Sequence, residues 1–252
     1  MRAQTTISVA QIRYYHSFEE HNVAKIKKYI SLAKNAGSDI VCFPETCVHK
    51  TNYLVLDHKW IKEIRQSCRE NSIWAVITDS FIIKKKPYKI ALLIDRKGKI
   101  RGKYKKINLY GDETEAGKKI FIHQTDFAKI GIVICWDLAF PELFRKMKKA
   151  GAEIVFCPSK WHYEAKTYNK NHKQNEINLL KSLVKSRAFE NIFFLALANP
   201  VIKGKEHKDL VSYSAISSPH KMLKEIIGKE GLITARINLK EIGKLSRLYK
   251  KL

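Results

Sequence analysis

The stretch Ile130-Gly131-Ile132-Val133-Ile134-Cys135-Trp136-Asp137-Leu138-Ala139-Phe140-Pro141-Glu142 decides how this chain is read. Its first half is an apolar run rich in β-branched residues, the pattern of a strand buried on both faces. Its second half becomes polar and turn-like at Cys135, and Pro141 with Glu142 suits the opening of a helix. A side chain at the end of a buried strand is held stiffly while its tip reaches a cleft, so Cys135 stands where a nucleophilic thiol would work. Position alone does not establish that chemistry, because free cysteine usually packs as a small hydrophobe.

Two further polar residues follow or close apolar segments in the same way. Glu45 follows Ile40-Val41-Cys42-Phe43-Pro44, and Lys106 lies within Lys103-Tyr104-Lys105-Lys106-Ile107-Asn108-Leu109. A thiol is only slightly ionised at neutral pH and needs a base or a cation beside it. A carboxylate and an ammonium supply both. Taken singly, Glu45 reads as a helix N-terminal charge after Pro44, worth about 0.3–1 kcal/mol. Strand alternation faces Lys106 away from Ile107, with Lys105 as the competing choice of register.

Three more segments stand in order around these: Val9-Ala10-Gln11, Arg187-Ala188-Phe189-Glu190-Asn191 and Ser214-Ala215-Ile216-Ser217-Ser218-Pro219. Together the six stretches resemble the carbon-nitrogen hydrolase (nitrilase) superfamily over nearly the whole chain. The resemblance implies an α/β fold, specifically a four-layer αββα sandwich, with homodimers or higher oligomers formed through outer helices. It implies Cys135 as nucleophile, Glu45 as base, and Lys106 with the backbone N–H of Trp136 as oxyanion donors. It also implies a second carboxylate beyond the lysine. Glu113, in Gly111-Asp112-Glu113-Thr114-Glu115-Ala116-Gly117, is the candidate, with Glu115 next. The family pattern often has His where Asn108 stands. Pro158-Ser159-Lys160-Trp161 corresponds to a pocket-lining segment, with Lys160 placed to bind a substrate carboxylate and Trp161 to cover an acyl chain. Asp137, Phe140, Pro141 and Glu142 read as support for the turn after the nucleophile. Arg187 and Glu190, one helical turn apart, read as a pair.

The reaction so implied is hydrolysis of a small linear, non-peptide amide through a thioester, without a cofactor. N-carbamoyl amides and nitriles are the alternatives that the same three groups would serve. A noncatalytic scaffold binding polyanions is the alternative of another class.

Composition bounds these readings. The 252 residues, 45% hydrophobic with 11 Phe, 11 Tyr and 4 Trp, suit a globular protein read as one domain over 1–252. No run approaches the roughly 18 apolar residues of a membrane span, and the opening residues lack the apolar core of a signal peptide. A cytoplasmic setting is expected. Five cysteines, at 42, 47, 68, 135 and 157, offer neither an even disulfide framework nor a complete metal-ligand spacing, so Cys42, Cys68 and Cys157 read as core. The formal charge of +24 is spread along the chain in small lysine clusters. It matches no helix-turn-helix, zinc-finger or RNA-binding signature, and it reads as a solvated surface rather than a specific nucleic-acid or membrane site.

Element patterning follows from the same text. Strands are expected at 7–11, 38–43, 73–77, 89–95, 100–104, 121–123, 128–134, 152–158, 192–199, 213–217 and 231–237. Helices are expected from Phe18 to a stop at Asn35-Ala36-Gly37, around 60–70, from Glu142 to Ala150 with Gly151 closing it, and from Leu179 to Glu190. Gly98 is expected to turn a hairpin between Ile94 and Ile100.

Overall fold

Apolar runs bounded by turn residues become the strands of two sheets, and the amphipathic segments between them become helices on the outer faces. A computed structural model describes residues 3–13, 21–49, 53–163, 172–201 and 210–249. The first sheet contains β1 (Gln4–Gln11), β2 (Ile40–Cys42), β3 (Trp74–Ile83), β4 (Lys86–Ile94), β5 (Ile100–Lys105) and β12 (Gly231–Asn238), in the order β12-β1-β2-β3-β4-β5. The second contains β6 (Phe121–Gln124), β7 (Lys129–Ile132), β8 (Ile154–Pro158), β9 (Phe194–Ala198), β10 (Tyr213–Ser217) and β11 (Met222–Ile227), in the order β11-β10-β9-β8-β7-β6.

Helices α1 (Val23–Asn35) and α2 (Lys59–Glu70) cover the first sheet, while α3 (Pro141–Lys149) and α4 (His172–Asn191) cover the second; α5 (Lys240–Leu248) follows β12. In α1 the buried set Ile26, Tyr29, Ile30 and Ala33 has the helical spacing that seats one face on Val41, Ala75 and Ile77. Between the sheets, Val9, Cys42, Val76 and Tyr104 of the first pack in one cluster with Ile130, Ile132, Phe156 and Phe194 of the second. Each such large apolar side chain contributes about 1.5–3 kcal/mol on full burial. The expected four-layer α/β arrangement is therefore present.

The Gly98 hairpin forms as expected, with Gly98 at φ +71. Other boundaries differ. The helix expected from Leu179 begins at His172, and the strand expected over 128–134 is shorter, at Lys129–Ile132. The helix expected from Phe18 starts at Val23; residues 18–20 lie outside the described residues. Strand β11 and helix α5 were not expected from the pattern. The topology matters for chemistry because β1–β2–β3 and β7–β8–β9 are parallel runs. Their C-terminal ends are where open α/β sheets hold ligands, and β2 packs against β8 across the two sheets.

Candidate active site

Cys135 leaves β7 through a short 3-10 turn, Cys135–Ala139, and itself sits at φ +47. A non-glycine residue in this left-handed region costs of order 1–3 kcal/mol and persists only where its surroundings impose it. The imposing group is Asp137, fully buried, which accepts from Ile134 N (3.0 Å), Tyr104 Oη (2.7 Å), and Asn108 N and Nδ2 (2.8 and 2.9 Å). Burial raises its pKa and these four donors pull it back, leaving it above the ordinary carboxylate value. The turn is held from its other side by Arg187, which donates to Leu138 O and Ala139 O and pairs with Glu190 at 3.1 Å. The turn support expected of Asp137 and the pairing expected of Arg187 with Glu190 each have a geometric basis, and the contact of Arg187 with the turn adds to them.

Glu45 follows β2, and its backbone N–H donates to Ser159 O beyond β8. Its carboxylate accepts from Lys106 Nζ at 3.2 Å through Oε1 and from the backbone N–H of Lys160 at 3.1 Å through Oε2. Lys106 comes immediately after β5, donates its own N–H to Lys89 O, and is 2% exposed. Lys105 points elsewhere, with its ammonium 3.2 Å from the Tyr88 ring centroid, so of the two lysines it is Lys106 that meets Glu45.

The carboxylate beside Lys106 corrects an expectation. Asp112 Oδ2 lies 2.7 Å from Lys106 Nζ, whereas the exposed Glu113 meets Tyr53 Oη only through its backbone carbonyl, and Glu115 pairs with Lys86. The reason is the geometry of the loop. It is tied at one end where Gly117 N donates to Lys106 O, and a side chain at Gly117 would overlap the Lys105 carbonyl oxygen. At the other end Gly111, at φ +61, turns Asp112 inward.

Glu45, Lys106, Asp112 and Cys135 line one polar cavity of about 270 Å³, together with Lys89 and Lys160. Burial works against the Lys106 charge, but Glu45, Cys135 and Asp112 outweigh it and raise its pKa well above the usual lysine value. Burial likewise opposes the Asp112 charge, and Lys106 overrides it to lower that pKa. The Cys135 thiol moves the opposite way. Burial and then the Glu45 charge push it up to about 12 against the pull of Lys106, so it rests as a thiol. Lys89 was missed in the sequence, where it reads as the start of a strand. It is 9% exposed and donates to Thr46 Oγ1 (3.1 Å) and Ser80 Oγ (2.7 Å), making no ion pair among the described residues.

On the other side of Cys135 lies a second, largely apolar cavity of about 180 Å³, lined by Trp136, Trp161, Tyr110 and Glu176 among others. Trp161 is buried there, its N–H on Asn199 Oδ1 and its indole Nε1 donating to Glu176 Oε2 at 2.9 Å. The Trp136 N–H precedes the first hydrogen bond of the turn, donated by Asp137 N to Ile134 O, so the turn offers it no acceptor. The segment 164–171, between these walls in sequence, lies outside the described residues. Among the described residues no group of three or more His, Cys, Asp or Glu side chains is arranged to hold a metal ion, and no helix is long and apolar enough to cross a membrane.

Residues 6–247 match the profile of a family described as carbon-nitrogen hydrolase. Similar proteins include a probable nitrilase of Schizosaccharomyces pombe, 26% identical over 91% of this chain and 87% of that one. The 2-oxoglutaramate amidase of Bacillus subtilis is 24% identical over 94% of this chain and 92% of its own. Among solved structures, a carbon-nitrogen hydrolase from Helicobacter pylori superposes with a TM-score of 0.85, covering 98% of this chain and 94% of that one at 18% identity, a likeness of fold.

Proposed function

The chain belongs to the carbon-nitrogen hydrolase family, and we propose that its reaction is hydrolysis of a small linear, non-peptide amide through a thioester on Cys135. The observation that carries this reading is the convergence of Glu45, Lys106 and Cys135 on one polar cavity, with the thiol presented from a left-handed turn. The similarity to an amidase supports an amide as substrate.

The electrostatics support a division of roles. Because the thiol rests protonated, its proton passes to Glu45 as Sγ attacks the amide carbon. The C–S bond forms and the carbonyl electrons move to oxygen, where the Lys106 ammonium and the Trp136 N–H meet the developing charge. Lys106 acts as a fixed charge rather than an acid, since its partners hold its proton tightly. Glu45 then returns the proton to the nitrogen, the C–N bond breaks, and ammonia leaves. Water, deprotonated by Glu45, hydrolyses the thioester and frees the acid. Asp112 keeps Lys106 charged and aimed.

In this reading Trp161 covers the acyl chain, and a substrate carboxylate on the polar side would meet Lys160, which lines that cavity with Lys89. A reducing, cytoplasmic setting fits five cysteines that are all free and buried. Homodimer formation through outer helices fits Leu179 and Phe189, large apolar side chains left exposed on α4. The test is ammonia release from amides, N-carbamoyl compounds and nitriles by the intact protein and by Cys135→Ala. Release from amides that disappears in the variant is expected; release that survives it would overturn the assignment.

A further inference from the structure

The aromatic cavity beside Cys135 carries an anion that the proposed chemistry does not use. Glu176, in α4, is half-buried in its wall. One carboxylate oxygen accepts from the Trp161 indole, and among the described residues no cation pairs with it. Holding the indole does not require a charge, since a glutamine oxygen would accept the same bond. A carboxylate half-buried in an apolar wall is solvated less well than one in water, and a cationic ligand would stabilise it.

The surrounding rings are suited to that ligand. Tyr110 packs on Trp136 at a centroid distance of 4.8 Å, and Trp136 on Trp161 at 5.4 Å, so three rings form a continuous wall. A cation lying on such a wall gains from the ring quadrupoles, most strongly over tryptophan. Methylene groups leading to it gain from the same apolar surface. The wall begins at Cys135 itself, so a substrate with its amide at the thiol directs its far end toward Glu176.

We propose that the substrate is an ω-amino amide, its ammonium held by Glu176 against the Tyr110–Trp136–Trp161 wall. This names the substrate class of the site above and rests on the Cys135 amidase reading. The rival is an ω-amide with a terminal carboxylate, which would turn to Lys160 and Lys89 in the polar cavity instead.

The experiment compares δ-aminovaleramide, its neutral isostere hexanamide and the anionic glutaramate as substrates of the intact protein and of Glu176→Gln, which keeps the indole acceptor. In parallel, calorimetric binding of δ-aminovaleramide is measured on Cys135→Ala and on Cys135→Ala with Glu176→Gln. The intact protein is expected to favour δ-aminovaleramide over hexanamide in kcat/KM by about tenfold or more, and Glu176→Gln to bring that ratio near one. Turnover without a cationic preference, or a preference indifferent to Glu176→Gln, overturns the inference while leaving the amidase reading intact. Absence of turnover with all three, alongside binding that Glu176→Gln abolishes, supports the cation site and overturns the amidase reading. Absence of both overturns the two together.

Discussion

The two sides of the cleft around Cys135 are built on opposite principles. On the polar side, Glu45, Lys106 and Asp112 are tied by hydrogen bonds to one another and to backbone, and the Lys89 ammonium is held by the Thr46 and Ser80 hydroxyls. On the aromatic side, Tyr110, Trp136 and Trp161 meet as tilted rings, and Glu176 accepts from the Trp161 indole while pairing with no cation among the described residues. The polar side is preorganised for a charge that develops during reaction. The aromatic side is preorganised for a body that arrives. A catalytic change should therefore act on turnover with any substrate, and a change in the wall should act on the choice among substrates.

The largest expected effect is on the polar side. In the proposed reaction Cys135→Ala removes the sulfur that forms the thioester, and turnover should fall by ~10⁴-fold or more in an ammonia-release assay. Lys106→Met should lower kcat by about 10²–10³-fold, the usual value of one oxyanion donor. It should also leave the buried Glu45 and the half-buried Asp112 as like charges without their shared cation, a loss of about 3 kcal/mol in denaturant unfolding. A Lys106→Met protein of unchanged stability would mean that the two carboxylates are not held by that ammonium.

The thiol gives the comparison a pH signature. With a pKa pushed up to about 12, Cys135 is a thiol throughout the neutral range, and the thiolate fraction rises with pH. Alkylation by iodoacetamide, followed by intact mass, should accelerate about tenfold per pH unit from 7 to 10, without the plateau that an unperturbed thiol near 8.5 shows. A plateau below pH 9 would mean that the cation rather than the buried carboxylate sets the thiol.

What the sequence revealed and what it hid follow the same division. Glu45 and Cys135 follow strands of strong apolar pattern while Lys106 follows the mostly polar β5, so the first two were readable from periodicity together with the family resemblance and Lys106 chiefly from the resemblance. The hairpin joining β3 to β4 was not, because its turn puts Lys84 and Lys85 at positive φ (51 and 64), where glycine or asparagine is the usual signal. Edge strand β11 escaped because Met222–Ile227 has one buried residue among six. Glu176 escaped because His172–Asn178 is almost wholly polar and reads as solvated surface, although Ile177 anchors it in the core. Wall residues come from separate turns whose meeting no local period encodes.

The loop between Lys106 and Gly117 was the hardest part to place, and it offers a mid-sized test. Gly117→Ala forces a methyl into the Lys105 carbonyl oxygen, so the loop must lift or β5 must shift. A stability loss of about 1–3 kcal/mol is expected, together with reduced kcat as Asp112 moves from the lysine. Loss of stability with full activity would separate the loop's anchor from the catalytic lysine.

The smallest expected effect separates adjacent residues in that loop. Asp112→Asn removes one of two carboxylates that hold Lys106, and kcat should fall about tenfold, the equivalent of one pKa unit of interaction. Glu113→Gln leaves the Tyr53 hydroxyl on the same backbone carbonyl and changes only an exposed side chain. Its effect should stay within about twofold, as for other surface substitutions. A larger loss in Glu113→Gln than in Asp112→Asn would mean that the loop turns over during reaction to exchange the two carboxylates. The polar side would then be the half that rearranges around the substrate, and the contrast with the aromatic wall would be reversed.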